Sequence, residues 1–334
     1  MKSIFAAIAL LIAALPAAAQ DPGPFLGRWA LTIPSGHAGW LEITREAGYL
    51  DGRILWGGGS VLPVDSVYLD GDTLYVTRLN EVERKDSDGS LVRTQHYTES
   101  ITARLNGADA LELTHEKVNT DGLGVVRNAF TGKRIPELPP APDLSQATYG
   151  APVVLFNGLS LDGWSLTDPD AHNGWRAEDG VLMNDPVQEE GQPKKHYGNL
   201  RTDAEFEDFN LTLEVNVPER GNSGVYLRGV YEVQVVDSHG KAPHVQHMGA
   251  VYSRIAPSEA AEKPAGEWQH LDITLVERHI TVKLNGTTII DNQPLLGCTG
   301  GALWSDEFRP GPIYLQGDHT GVKYREIVLR PVVK

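Results

Sequence analysis

Short runs in which apolar and polar residues alternate follow one another along the N-terminal half of the chain. The run GRWALTI places Trp29, Leu31 and Ile33 on one face, and LYVTRL (74–79) alternates again. The segments DGDTLY, SDGS and LNGADA hold the Gly, Asp and Asn residues that are typical of turns. No stretch of this half has a helical period. The pattern predicts an antiparallel β-sandwich or barrel.

The C-terminal half has the same period of two. In LTLEVNV four apolar residues share one face: Leu211, Leu213, Val215 and Val217. The segments 270–276 and 279–292 also alternate, and Asn285-Gly286 within the second predicts a tight hairpin. Strands with one apolar face need a second layer to bury it. We therefore expect an all-β chain whose second half is a jelly-roll β-sandwich.

A proline-rich segment divides the two halves. Residues 134–150, RIPELPPAPDLSQATYG, lack a periodic apolar pattern, which is typical of a semi-rigid linker. We predict a β domain over residues 25–133 and a second domain over residues 151–334. The first domain shows no catalytic constellation, so we interpret it as an accessory domain.

The N-terminus has the features of a secretory signal peptide. Residues 1–19 combine Lys2, an apolar run from Ile4 to Leu15, and three alanines where cleavage occurs. The run is too short to span a bilayer, and no later segment is long and apolar enough to do so. We therefore expect a periplasmic or secreted protein without membrane insertion.

Composition narrows the choice of partners. The formal net charge is −15, and such a field repels nucleic acids and anionic membrane surfaces. Sugars, neutral metabolites and cations are better partners, and we expect no nucleic acid. A single cysteine, Cys298, excludes an intrachain disulfide and a zinc-thiolate site.

The segment GNSGVYLRGVYEVQVVDSHG (221–240) carries chemistry on one face. Read as one strand, its apolar face holds Val225, Leu227, Tyr231, Val233 and Val235. The opposite face holds Tyr226, Arg228, Glu232 and Gln234, unless Gly229 marks a bulge. This second face is either solvated or the floor of a ligand cleft.

A second segment favours the cleft. In PGPIYLQGDHTG (310–321), Tyr314, Gln316 and Asp318 alternate with apolar residues, and His319 follows. Gln and Tyr suit hydroxyl-rich ligands, because amides form hydrogen bonds with hydroxyls and aromatic rings stack on sugars. We predict that both segments line one carbohydrate cleft.

An ordinary retaining glycosidase is disfavoured. Sandwich glucanases place two acids at alternating positions of one strand, with carboxyl groups about 5 Å apart. The corresponding series here is Glu232, Gln234 and Val236, so the second acid is missing. Asp318 or Asp237 remains available as a partner from elsewhere.

Seven segments carry a resemblance to a known family. They are LFNGLSLDGW (155–164), GWRAEDGVL (174–182), residues 200–238, GAVYSRIAP (249–257), GEWQHLDITL (266–275), TVKLNGTTIIDN (281–292) and GPIYLQGDHTGVKYREIVLRP (311–331). In this order they resemble the 3-keto-disaccharide hydrolase family over residues 151–334. The resemblance implies a concanavalin A-like jelly roll.

The resemblance also implies cleavage of glycosides that are already oxidised at C3. A ketone at C3 acidifies the C2 hydrogen, so a base can remove it and the enolate can expel the C1 substituent. It implies Glu232 and His319 as acid and base. The side chains expected around the sugar are Arg228, Gln234, Asp318, Tyr226, Gln316 and Asp237.

Two alternatives concern partners and function. The sequence lacks a Gly-x-Gly-x-x-Gly fingerprint, so a separate sugar 3-oxidoreductase is expected to make the ketone. The other class of function is a carbohydrate-binding protein of the same fold, which needs the stacking and amide groups but no working Glu232 and His319.

Three further loops have open interpretations. The loop DSHGKAPHVQHMG (237–249) places His239, His244 and His247 near Asp237. These histidines are candidate ligands of a divalent metal. The alternative is a surface loop or a loop that contacts the sugar. Trp304 and Asp306 form a cleft wall or a rim. The insertion 188–195 is typical of a solvated loop, with His196 and Tyr197 placed to lean over the cleft.

Overall fold

The computed structural model describes residues 21–333, so the predicted signal peptide over residues 1–19 lies outside the described residues. The chain is all-β, as predicted, with short 3₁₀ turns at Gly23–Phe25 and Leu144–Gln146. Within residues 21–333, no helix has the length and apolar character needed to cross a membrane.

The N-terminal strands close into an antiparallel barrel. They are β1 (Gly27–Thr32), β2 (Ala38–Arg45), β3 (Leu50–Trp56), β4 (Leu62–Pro63), β5 (Ser66–Asp70), β6 (Thr73–Lys85), β7 (Leu91–Leu105), β8 (Ala110–Val118) and β9 (Val125–Ile135). The order is β2-β1-β9-β8-β7-β6-β5-β3, and β3 pairs back with β2. Of the two predicted architectures, the barrel is therefore the one formed.

The barrel core contains the predicted face of the first run. Trp29, Leu31 and Ile33 are buried, and they pack with Leu74 and Val76. Between β9 and the next strand, residues 136–147 form no strand.

The C-terminal strands form two packed sheets. They are β10 (Thr148–Tyr149), β11 (Val153–Val154), β12 (Trp164–Leu166), β13 (Trp175–Glu178), β14 (Val181–Asn184), β15 (Leu200–Thr202), β16 (Phe209–Asn216), β17 (Asn222–Leu227), β18 (Tyr231–Val236), β19 (Trp268–Val276), β20 (His279–Leu284), β21 (Thr287–Pro294), β22 (Tyr314–Leu315) and β23 (Val322–Val333). The larger sheet has the order β13-β14-β23-β16-β19-β20-β21. The smaller sheet has the order β12-β15-β22-β17-β18.

Both local predictions for this half are confirmed. The apolar face of β16 is completely buried in the jelly-roll core. Asn285 and Gly286 join β20 to β21 with φ angles of 52° and 89°, the left-handed conformations that a two-residue hairpin of type I′ requires.

The barrel packs directly against the sandwich. Trp40 and Leu55 of the barrel belong to the same buried cluster as the jelly-roll core. The Arg254 guanidinium lies 4.2 Å from the Trp40 ring centroid. Ser305 Oγ accepts a hydrogen bond from the Gly39 nitrogen at 2.9 Å and donates one to the Leu31 carbonyl at 2.8 Å. Loops of the second unit are thus held by strands of the first.

Candidate active site

The segment 221–240 is a hairpin rather than the single strand expected. Arg228 and Gly229 have φ angles of 56° and 68°, so the chain reverses there and β17 pairs with β18. The register places Tyr226 opposite Glu232. Residues directly opposite one another point to the same face of a sheet. The predicted apolar face and the predicted polar face therefore remain on opposite sides of the hairpin.

Tyr226 lies between two other groups of the same face. Its ring stacks on Tyr314 of β22, with centroids 3.8 Å apart and planes 12° apart. Its hydroxyl is 2.8 Å from Glu232 Oε2 and 2.6 Å from the carbonyl oxygen of Gly300. One phenol proton cannot serve both acceptors at once. When Tyr226 donates to Gly300, a protonated Glu232 can donate to the phenol oxygen.

Glu232 is a buried carboxyl group with 4% of its surface exposed. Burial raises its pKa to about 8, while the Tyr226 hydrogen bond and the charge of His319 act in the opposite direction. Gly224 leaves the space that the carboxyl group occupies. A β-carbon at Gly224 would overlap Glu232 Oε1 and lie 3.0 Å from Cδ.

Asp318 and His319 form a hydrogen-bonded pair just beyond β22. Asp318 Oδ1 is 2.8 Å from Nδ1 of His319, and both side chains are partly exposed. The hydrogen bond to Asp318 raises the pKa of His319, although burial opposes it. Burial acts to raise the pKa of Asp318, but the hydrogen bond and charge of His319 outweigh it, so this pKa is lowered. Charge interactions link Glu232 to both residues.

Amide groups continue the polar face. The buried Oε1 of Gln316 has no hydrogen-bond partner among the described residues. Gln234 Nε2 lies 3.2 Å from Asn222 Oδ1. Gln234 and Asp237 line a cavity of 440 Å³, together with Gln246 and Tyr252. Asp237 also accepts a hydrogen bond from the Arg220 nitrogen at 2.9 Å.

Arg228 is not brought to the cleft, contrary to expectation. Only 3% of it is exposed, and its guanidinium donates to the carbonyls of Glu307 at 2.8 Å and Arg309 at 2.6 Å. Since its donors are used there, Arg228 holds the 300–311 loop. Its position at a turn carries it away from Glu232.

That loop faces the barrel. Trp304 packs 3.9 Å from the Arg309 guanidinium and lines a separate cavity of 1020 Å³ between barrel strands and residues 303–308. Asp306 is exposed, and its carboxylate accepts a hydrogen bond from the Phe308 nitrogen. These two residues therefore line the cavity between the barrel and the jelly roll.

The histidine-rich loop does not assemble a ligand set. His239 contacts the Glu262 carbonyl, His247 contacts the Ala242 carbonyl, and the rings of His244 and His247 are 5.3 Å apart. No group of three or more His, Cys, Asp or Glu side chains between residues 21 and 333 is arranged to hold a metal ion.

The insertion after residue 188 does reach the site. The charge of His196 is the smallest of the effects that lower the pKa of Asp318, and the charge of Lys194 slightly opposes the rise in the pKa of His319. His196 is also 3.7 Å from Asp168. The sequence indicates the nearness of His196, but its charge pattern alone does not identify Lys194.

Two glycines complete the site. A lone glycine within a strand, such as Gly224, is a known signal of close approach. Gly300 has no such signal, because its contact with Tyr226 joins positions 74 residues apart.

The site as a whole combines the buried acid Glu232, the imidazole of His319 oriented by the Asp318 carboxylate, and amide groups beside a cavity. This arrangement is suited to general acid–base chemistry.

Solved structures share similarity with the chain. A protein described as a "putative glycosyl hydrolase" from Parabacteroides distasonis is 28% identical, covers 60% of this chain and 94% of its own, and has a TM-score of 0.45. A second one from that organism is 18% identical, with coverages of 55% and 94% and a TM-score of 0.43. The carbohydrate-binding module CBM66 of Bacillus subtilis is 12% identical, with coverages of 49% and 93% and a TM-score of 0.30.

No curated protein matches the chain. The model of the 3-keto-alpha-glucoside-1,2-lyase-like domain matches residues 151–330, which contain the hairpin, the Asp318–His319 pair and both sheets of the sandwich. The predicted resemblance is thereby confirmed. The chain is a carbohydrate-active protein and belongs to the 3-keto-alpha-glucoside-1,2-lyase-like family.

Proposed function

We propose that this protein cleaves glycosides that carry a ketone at C3, by removing the C2 proton and expelling the C1 substituent. The observation that supports it most is the combination of a buried Glu232, whose pKa is raised to about 8, with the Asp318–His319 pair just beyond β22, which interacts with it through charge. Such chemistry needs one base and one acid, and these groups can supply both.

The base in this proposal is His319. Asp318 engages Nδ1, which leaves Nε2 to take the C2 proton. The C–H electron pair then forms the C2–C3 double bond of an enolate, and the negative charge moves to the C3 oxygen. We expect the amide groups of Gln316 and Gln234 to bind the sugar hydroxyls.

The acid in this proposal is Glu232. As the enolate collapses, the C1–O bond breaks and its electron pair stays on the leaving oxygen, which takes the proton of Glu232. The sugar product is then an unsaturated ketone. If water adds to it, oxygen bonds to C1, Glu232 regains a proton from that water, and His319 returns one to C2. Elimination and net hydrolysis thus differ only in this second half.

We also infer the setting of the reaction. The substrate must first be oxidised at C3, which is the work of a separate sugar oxidoreductase. Residues 1–19 have the pattern of a signal peptide, so we expect the glycoside to be cleaved in the periplasm or outside the cell.

The test compares a 3-keto-glucoside with its unoxidised parent in ²H₂O. We expect turnover of the oxidised sugar alone, deuterium at C2 of the hydrated product, and loss of turnover in Glu232→Gln and His319→Ala. Saturable binding without turnover that survives both substitutions would instead identify a carbohydrate-binding protein. Turnover of the unoxidised parent at an equal rate would contradict the elimination route.

A further inference from the structure

A loop of the N-terminal barrel is inserted between two loops of the jelly roll. This barrel loop comprises residues 57–61, between β3 and β4. On one side Gly59 contacts Gly300. On the other side the Val61 nitrogen donates to Ser253 Oγ at 2.9 Å, and Ser60 Oγ accepts from Gln246 Nε2 at 3.1 Å.

The contact with Gly300 leaves no room for a side chain. A β-carbon at Gly300 would overlap the Gly59 carbonyl oxygen and lie 2.7 Å from the Gly59 nitrogen. Gly300 is buried, and its φ angle is not in the left-handed region. The backbone conformation therefore permits any residue there, and the nearness of the barrel is what requires glycine.

Both jelly-roll loops touch Glu232 or its partner. The Gly300 carbonyl accepts a hydrogen bond from Tyr226 at 2.6 Å. In the other loop, the Tyr252 nitrogen donates to the backbone carbonyl of Glu232 at 3.0 Å. The barrel loop thus contacts one segment that hydrogen-bonds to Tyr226 and another that hydrogen-bonds to the backbone of Glu232.

The position of the Gly300 carbonyl bears on the proton of Tyr226. The phenol has one proton and two acceptors within 2.8 Å, Gly300 and Glu232. The two acceptors share this proton: the Tyr226 hydrogen bond lowers the pKa of Glu232, and competition from the Gly300 carbonyl weakens that effect. If the carbonyl moves away, the phenol donates to the carboxylate alone and lowers this pKa further.

We propose that the barrel is a positioning element of the active site, since its loop 57–61 fixes the Gly300 carbonyl that competes with Glu232 for the Tyr226 proton. The catalytic part of this inference rests on the proposed function. Titratable groups that interact with Glu232 include Tyr226, Tyr314, Tyr324, Asp318 and His319, all of the jelly roll. The barrel loop meets Gly300 through the backbone atoms of Gly59, so the effect proposed for it is a backbone effect.

The experiment follows the Glu232 carboxyl group directly and needs no substrate. Full-length protein with ¹³C-labelled glutamate side chains is titrated by NMR, and the Glu232 signal is assigned by its loss in Glu232→Gln. We expect Gly300→Ala to lower the pKa of Glu232 by about one unit, because the added methyl displaces the carbonyl from Tyr226. Gly58→Ala is the matched control. Gly58 lies in the barrel loop 57–61, and a β-carbon there would lie in open space.

The Tyr226→Phe background separates this effect from solvent entry. There, Gly300→Ala should leave the pKa unchanged, because no phenol proton remains to be redirected. A pKa that still falls in that background means that water entered the site, and it overturns the proposal. An unchanged pKa in Gly300→Ala alone, or an equal fall in Gly58→Ala, overturns it as well.

A second variant covers the case in which Gly300→Ala does not fold. Gly59→Ala disturbs the loop without a collision, because alanine is strained at a φ of 77° while its β-carbon meets open space. It should lower the pKa in the same direction, and no change in it counts against the proposal. The titration uses no substrate, so its result is valid even if the protein does not act on 3-keto-glycosides. Failure of the proposed function and failure of the positioning role can therefore be told apart.

Discussion

The carboxylate of Asp318 lies 2.8 Å from Nδ1 of the adjacent His319, at the end of a strand whose Tyr314 stacks on Tyr226. This pair is the partly exposed half of the site, and the buried Glu232 is the other half. In the proposed mechanism the base is therefore partly exposed and the acid is buried, and a charge interaction connects them.

Asp318→Asn should move the acid limb of the pH profile of kcat/KM to lower pH. The hydrogen bond to Asp318 raises the pKa of His319, so its removal lets neutral imidazole persist at lower pH. The plateau should fall by roughly 10²–10⁴-fold, because the base is weaker and less well oriented. The exposed Glu178→Gln serves as the control. An acid limb that stays in place would remove His319 from the role of base.

The alkaline limb of the same profile should lie near pH 8. Glu232 must be protonated to act as an acid, and its pKa is raised to about 8 by burial. Tyr226→Phe should shift this limb to higher pH, because the Tyr226 hydrogen bond lowers that pKa. Stopped assays on a 3-keto-glucoside between pH 5 and 10 would measure both limbs. A limb that persists unchanged in Glu232→Asp would assign it to another group.

Much of this site is readable from local patterns, because alternation along a strand is a local property. It predicts the buried face of β16 and places Tyr226 with Glu232 on one face. The burial of Arg228 cannot be predicted from its neighbours in the sequence. Its burial depends on carbonyls of Glu307 and Arg309, about 80 residues away. Likewise, the contact of Ser60 with Gln246 joins the barrel to the jelly roll across 186 positions.

Gly224→Ala should reduce activity without unfolding the protein. The new methyl would overlap Oε1 of Glu232 and displace the acid, and a displaced catalytic group costs on the order of 10²-fold. In a Glu232→Asp background the shorter side chain leaves room, so the alanine should cost much less. Kinetics of the four proteins form a double-mutant cycle. Equal losses in both backgrounds would show that the methyl acts on something other than Glu232.

Glu307→Ala should destabilise the protein by about 3–5 kcal/mol, because it leaves a buried charge without its partner. Glu307 is 3.4 Å from the buried Arg278 and accepts a hydrogen bond from Tyr231 at 2.8 Å. Glu205→Ala is the control, since its ion pairs with Arg201 and Arg309 are more exposed and are worth about 0–1 kcal/mol. Urea denaturation measures both, and equal losses would contradict this assignment.

Glu232→Gln should stabilise the protein increasingly as pH rises from 5 to 8. The folded-state pKa of about 8 exceeds the ordinary value of 4.5, so the native protein binds this proton more tightly than the unfolded chain does. The resulting stability is complete below pH 4.5 and is lost as pH rises through 8. Glutamine has no proton to lose.

The gain at pH 8 should therefore exceed that at pH 5 by several kcal/mol, with an upper bound of about 5 kcal/mol. Urea denaturation at pH 5, 6.5 and 8 measures it, and the exposed Glu219→Gln should show no such trend. A gain that is constant across these pH values would mean that Glu232 is ionised in the folded protein. In that case it could not act as the acid, and its buried position would serve a different purpose.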